Sequence, residues 1–137
     1  MIYLYKHNGR KCCYDTASGA VLELTALQYK MMGAIEPPLT PTCPTSLRYE
    51  LAKYDSEDVS EAYDELYGFF SEGLLFGTDN GEARLRISGD RAVTDADEAD
   101  IIFAFAGNAG IAKYRLTGES PIAADVASVA EKNGLIK

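Results

Sequence analysis

The chain of 137 residues has no tryptophan, a single histidine and three cysteines. With His7 as its only imidazole it excludes metal sites built from several histidines. Cys12, Cys13 and Cys43 make an odd set, with no second cysteine or histidine pair at metal-ligand spacing, and a ring closed between adjacent cysteines is strained, so reduced, partly buried thiols are expected. No apolar run approaches the about 18 residues that a membrane span needs. The opening Met1-Ile2-Tyr3-Leu4-Tyr5-Lys6 also lacks the basic-then-apolar pattern of a signal peptide, so a cytoplasmic chain without membrane contact is expected. Cations are scarce: 13 Lys and Arg stand against 21 Asp and Glu, for a net charge of −8. Such a chain repels a phosphate backbone, and nucleic acid is not an expected partner.

What is present is ordinary globular material, 47% hydrophobic and 25% charged, enough for a packed core. Residues 2–7 alternate, and Asn8-Gly9 is the pair best suited to the positive φ angles of a type I′ turn, so a hairpin with a second strand over residues 10–15 follows. The turn-forming run Asp15-Thr16-Ala17-Ser18-Gly19 leads into a third strand over residues 20–24. Thr25 precedes Gln28 at capping-box spacing and starts a helix. Its stripe Leu27, Met31, Ile35 is stopped by Glu36-Pro37-Pro38. Thr45 or Ser46 caps a second helix marked by Leu47, Leu51 and Tyr54. Asp55 or Ser56 caps a third, with Val59, Ala62, Tyr63, Leu66, Phe69 and Phe70 at three- and four-residue steps and Gly73 at its C-terminal end.

The turn-prone Asp79-Asn80-Gly81 marks a boundary, giving a first domain over residues 1–77 and a C-terminal α/β extension over residues 78–137. In that extension residues 83–88 alternate as a short strand, residues 101–106 suit a buried strand or a helix, and Ser120-Pro121 opens a helix that ends at Asn133-Gly134. Gly107-Asn108-Ala109-Gly110-Ile111-Ala112-Lys113 only loosely suggests a phosphate-cradling loop and reads better as the end of an element. The acidic string Asp95, Asp97, Glu98, Asp100 lacks the glycine and final glutamate of a calcium loop and reads better as a solvated helix start. Tyrosine is frequent: all nine but Tyr114 fall before residue 68, which suits either a peptide-binding surface or the rim of a small core.

Three short strands followed by three helices, with Leu24-Thr25-Ala26-Leu27-Gln28, a linker, Leu47 and Leu51 four apart, and an amphipathic helix ending Glu72-Gly73-Leu74-Leu75-Phe76, resemble the PqqD-like domains, also called RiPP recognition elements. The opening hairpin and the Ser18-Gly19-Ala20-Val21 turn are most similar to the N-terminal domain of radical-SAM maturases that install thioether links in peptides. The resemblance covers residues 1 to about 77 and implies an α+β, winged-helix-like fold.

It also implies a function: capture of a precursor's leader peptide as an added strand and its presentation to a separate radical-SAM or other modifying enzyme. The residues it implies are Ala20, Val21, Leu22, Glu23 and Leu24 as the strand edge and Tyr63, Tyr67 and Phe70 as the helical wall, with Lys30 and Lys53 as partners for leader acids. No cysteine follows Cys43, so the CxxxCxxC motif that holds a radical-SAM cluster is absent; no cofactor and no catalytic residue is expected. A homodimer is compatible with these features. Two alternatives stand beside this expectation. One is a winged-helix transcription regulator, against which the third helix places six acids and no base. The other is a small enzyme with a nucleotide or metal site in residues 78–137.

Overall fold

The computed structural model describes residues 1–137 and is an α+β protein with a three-stranded antiparallel sheet and five helices. Strands β1 (Ile2–His7) and β2 (Arg10–Asp15) form the expected hairpin. Asn8 and Gly9 both take positive φ, 51° and 76°, as a two-residue turn that matches strand twist requires. Strand β3 (Val21–Leu24) pairs with β2, Leu22 lying opposite Cys13, and the sheet order is β1-β2-β3.

Helix α1 (Ala26–Met32) opens on the capping box: Gln28 N–H donates to Thr25 Oγ1 at 3.1 Å and Thr25 N–H donates to Gln28 Oε1 at 3.0 Å. It ends earlier than the prolines predict, because Gly33 takes the C-cap, leaving Ile35 past the last helical residue. Helix α2 (Thr45–Glu50) starts one residue earlier than a Thr45 or Ser46 cap implies. Pro44 holds the cap position without a side-chain bond. Helix α3 (Ser56–Ser71) is capped by Asp55, which accepts from Glu57 N–H at 2.8 Å. It closes with Gly73 at φ 80°, while Gly73 N–H donates to Phe70 C=O and Leu74 N–H to Phe69 C=O, the paired bonds of a Schellman motif.

Residues 78–137 form a parallel β-α-β-α unit of β4 (Glu82–Arg86), α4 (Ala96–Asn108), β5 (Lys113–Thr117) and α5 (Ala123–Lys132). Residues 101–106 resolve as helix, inside α4. Strand β5 escapes a hydropathy reading because only Tyr114 and Leu116 alternate within Lys-Tyr-Arg-Leu-Thr. Ser120 does not cap α5 directly: its hydroxyl accepts from Ile122 N–H, and Ile122 itself takes the cap position. No helix is long and apolar enough to cross a membrane.

The three-stranded sheet is covered on both faces. Cys13, Leu22 and Leu24 face Met31, Leu47, Val59 and Leu66 of the first three helices. Tyr5, Cys12, Tyr14 and Val21 face Leu85, Ile102, Phe103 and Tyr114 of the C-terminal unit. Adjacent Cys12 and Cys13 thus enter opposite cores, as strand alternation demands, and burial pushes their thiols up to about 11 and about 12.

Backbone bonds seal the second junction: Arg84 N–H donates to Thr16 C=O and Arg86 N–H to Gly19 C=O, both at 3.0 Å, and the Tyr14 hydroxyl donates to Arg84 C=O. Gly19 is needed here twice over, since its φ is 76° and a Cβ would stand 3.0 Å from the Arg84 carbonyl carbon. The change in element type near residue 78 therefore falls between segments that share a sheet.

That sharing makes unfolding of the two segments one event. Scanning calorimetry is expected to show a single transition, and Phe103→Ala, a large deletion at a fully buried site, to lower stability by about 3–5 kcal/mol while shifting that whole transition. Two transitions, only one of which moves, would show independent units.

Candidate functional site

An edge strand offers unpaired backbone groups, and β3 is such an edge. Ala20 C=O accepts from Asp15 N–H, so Ala20 faces β2, and Val21 N–H points the other way, to Arg91 C=O at 2.8 Å. Alternation then turns Leu22 and Leu24 inward and Glu23 outward. Of the five residues predicted for the edge, Val21 and Glu23 present backbone outward. Val21 already has its donor occupied by the chain itself, which leaves Glu23 as the open position. Beside it lies a slot of about 350 Å³ lined by Arg10, Val21, Glu23, Asp90, Arg91 and Ala92.

The three residues predicted for the helical wall have different surroundings. Tyr63 is buried, and its hydroxyl donates to Thr40 C=O at 2.7 Å while Thr40 N–H approaches it at 3.2 Å. It lines a separate cavity of about 310 Å³ between the 33–44 connector and α2. Tyr67 packs on Phe70, and Phe70 on Phe76. The aromatic side chain tied to the β3 edge is instead Phe69, over whose ring the Arg91 guanidinium sits at 4.7 Å. At about 100° per helical residue, Tyr67 lies roughly 160° around α3 from Phe69, so the two belong to opposite flanks. Sequence periodicity identified the stripe, and packing of Val59, Ala62, Leu66 and Phe69 into the core fixes which flank of α3 faces the sheet.

The flank that carries Phe69 is acidic. Asp58, Glu61 and Glu65 line the gap between α3 and α1, against Leu27 and Tyr54, and Gln28 Nε2 donates to Glu65 at 2.7 Å. Lys30 and Lys53 both sit over the ring of Tyr54, which lines this gap, at 5.5 and 5.4 Å.

The densest polar cluster joins the hairpin to α4. Glu98 is fully buried, and both of its oxygens are occupied. Oε1 accepts from the Thr94 N–H and hydroxyl at 2.8 and 2.9 Å. Oε2 accepts from the Tyr5 hydroxyl at 2.8 Å and Arg10 Nη2 at 3.0 Å. Burial and the adjoining Glu98 carboxylate raise the Tyr5 hydroxyl far above its ordinary range. A carboxylate so satisfied holds elements together and has no acceptor free for substrate.

The acidic string is the first turn of α4. Asp95 accepts from Glu98 N–H at 2.8 Å and contacts His7 Nε2 at 3.2 Å, and Asp100 accepts from Asn133 Nδ2 at 2.8 Å. The run from Gly107 to Gly110 is the C-terminal end of α4, where carbonyls face outward, the wrong polarity for phosphate. No group of three or more His, Cys, Asp or Glu side chains is arranged to hold a metal ion. No protein-family model matches the chain, and no curated protein matches it.

The Glu98 N–H and then His7 hold the Asp95 carboxyl below its usual range. Its contribution to stability is therefore present above the ordinary carboxylate pKa of about 4 and is lost as pH falls through the lower folded value. Asp95→Ala is expected to cost about 1 kcal/mol at neutral pH as a lost cap, with the gap to the parent closing in strongly acidic solution. Urea titrations across pH measure both, and a gap independent of pH would contradict this role.

Proposed function

We propose that the protein is a peptide-binding module of the PqqD-like kind, taking an extended segment of a precursor peptide as a fourth strand on β3. The observation that carries this is the outward-facing Glu23 backbone, set beside an open slot and the Phe69 flank of α3. Strand addition needs both parts: main-chain bonds give affinity in any sequence, and side-chain pockets at alternate positions select one. The element order supports the same reading, since three strands followed by three helices put an edge strand immediately before α1.

An added antiparallel strand would pair one of its residues with Glu23 through both N–H and C=O. Its neighbours on either side would point toward the face of the sheet where Leu22, Leu24 and Phe69 lie. In this proposal the C-terminal unit backs the sheet, bonds the edge at Val21 through Arg91 and leaves the Glu23 position to the peptide, and the modifying chemistry belongs to a separate enzyme. The five acids of α3, with Glu72 at its C-cap and no lysine or arginine, set this helix apart from one that enters a DNA groove.

Calorimetric titration with synthetic leader segments of precursor peptides tests the proposal. Phe69→Ala is expected to weaken binding about tenfold to a hundredfold, the usual loss for an aromatic anchor, while Tyr67→Ala on the opposite flank changes it little. Equal losses for both variants, or a loss for Tyr67→Ala alone, would place the groove elsewhere.

A further inference from the structure

Residue Arg91 does to the β3 edge what a bound peptide would do. Its C=O accepts the Val21 N–H at 2.8 Å, the position of an inter-strand bond, and its guanidinium lies 4.7 Å from the centroid of the Phe69 ring. Phe69 is 8% exposed, whereas Arg91 is exposed. We propose that residues 89–92 are a built-in competitor for the strand-addition edge, and that the peptide which displaces them carries an arginine or lysine to take the place of Arg91 on Phe69. This inference rests on the strand-addition function proposed above and adds the chemistry of the partner and a means of regulating its access.

The segment is built to be displaced. Ile87 and Val93 are buried on either side of it, and Val93 N–H donates to Arg86 C=O, so the anchors stay in the core while the turn between them moves. Gly89 at φ 79° supplies a joint. Arg91 itself takes a left-handed φ of 66°, which a residue with a Cβ seldom adopts.

The ring favours a basic replacement. In the closed turn the face of Phe69 already receives a guanidinium at 4.7 Å. A guanidinium or ammonium stacked there gains from the negative face of the ring, and an acidic side chain does not. The nearest acid along this flank of α3, Glu65, one helical turn before Phe69, accepts from Gln28 Nε2 at 2.7 Å.

The test uses the full chain and a positional-scanning library of N-acetylated octapeptides on a Thr/Val background, one position at a time fixed as Arg, Lys, Leu or Glu, with binding read by fluorescence anisotropy. Parent protein is expected to select Arg or Lys at one position. Arg91→Ala, which removes the competing stack, is expected to bind the selected peptides roughly two- to thirtyfold more tightly, and Arg91→Lys to restore affinity toward the parent value. Thermal melts check that Arg91→Ala keeps the fold. Weaker binding by Arg91→Ala would make Arg91 part of the binding wall and overturn the proposal, as would selection of Glu. Selection of Leu with no effect of Arg91→Ala would leave strand addition standing and remove the competitor. No binding by either protein, together with failure of the leader titration, would overturn strand addition itself and this inference with it.

Discussion

Everything in this fold depends on a three-stranded sheet buried on both faces. A sheet this small is marginal by itself, and here each face is closed by a different part of the chain. The alternation that sends Cys12 into one core and Cys13 into the other runs along the middle strand. Because both cores draw on the same strands, neither face can be exposed without loss to the other. The open parts of the sheet are its edges, and at the β3 edge the Glu23 backbone faces a solvent slot. A site confined to an edge of a sheet fixed from both sides is rigid, which limits the ordering cost of receiving a strand.

Local chemistry made much of the first segment legible. Asn8-Gly9 specifies the hairpin, Thr25 with Gln28 specifies the start of α1, and Asp55 with Gly73 delimits α3, because in each case the decisive bonds span two to five residues. The C-terminal unit was harder to read. Its parallel strands pair Leu85 with Leu116 across a whole helix, and β5 carries too few apolar positions to declare itself. Residues 101–106 are apolar on several sides because α4 is packed between the sheet and α5, so neither a period of two nor one of 3.6 dominates.

Of the candidate site, the strand itself was legible: β3 runs Val21–Leu24 within the predicted residues 20–24 and lies at an edge of the sheet. Periodicity shows that α3 has a broad apolar surface, and within it Val59, Ala62, Tyr63, Leu66 and Phe69 are the buried line while Tyr67 and Phe70 are only partly buried. The Tyr63 hydroxyl is held by Thr40 in the connector, a long-range bond that the sequence does not announce. Arg91 was invisible for a similar reason. In sequence it belongs to a Gly-Asp-Arg turn, and only the fold brings that turn against a strand seventy residues earlier.

The central claim is that a peptide joins the sheet at β3, and the geometry of antiparallel pairing makes it directly measurable. Glu23 faces outward with its N–H and C=O, so the α-protons of Leu22 and Leu24 are the ones directed at an added strand. Those protons come close to α-protons of the partner in the non-hydrogen-bonded pairs. Isotope-filtered nuclear Overhauser spectra of the labelled protein with an unlabelled bound peptide should show cross-peaks from peptide α-protons to those of Leu22 and Leu24. Cross-peaks to β1 alone, or only to residues of the cavity between α2 and the connector, would contradict the account.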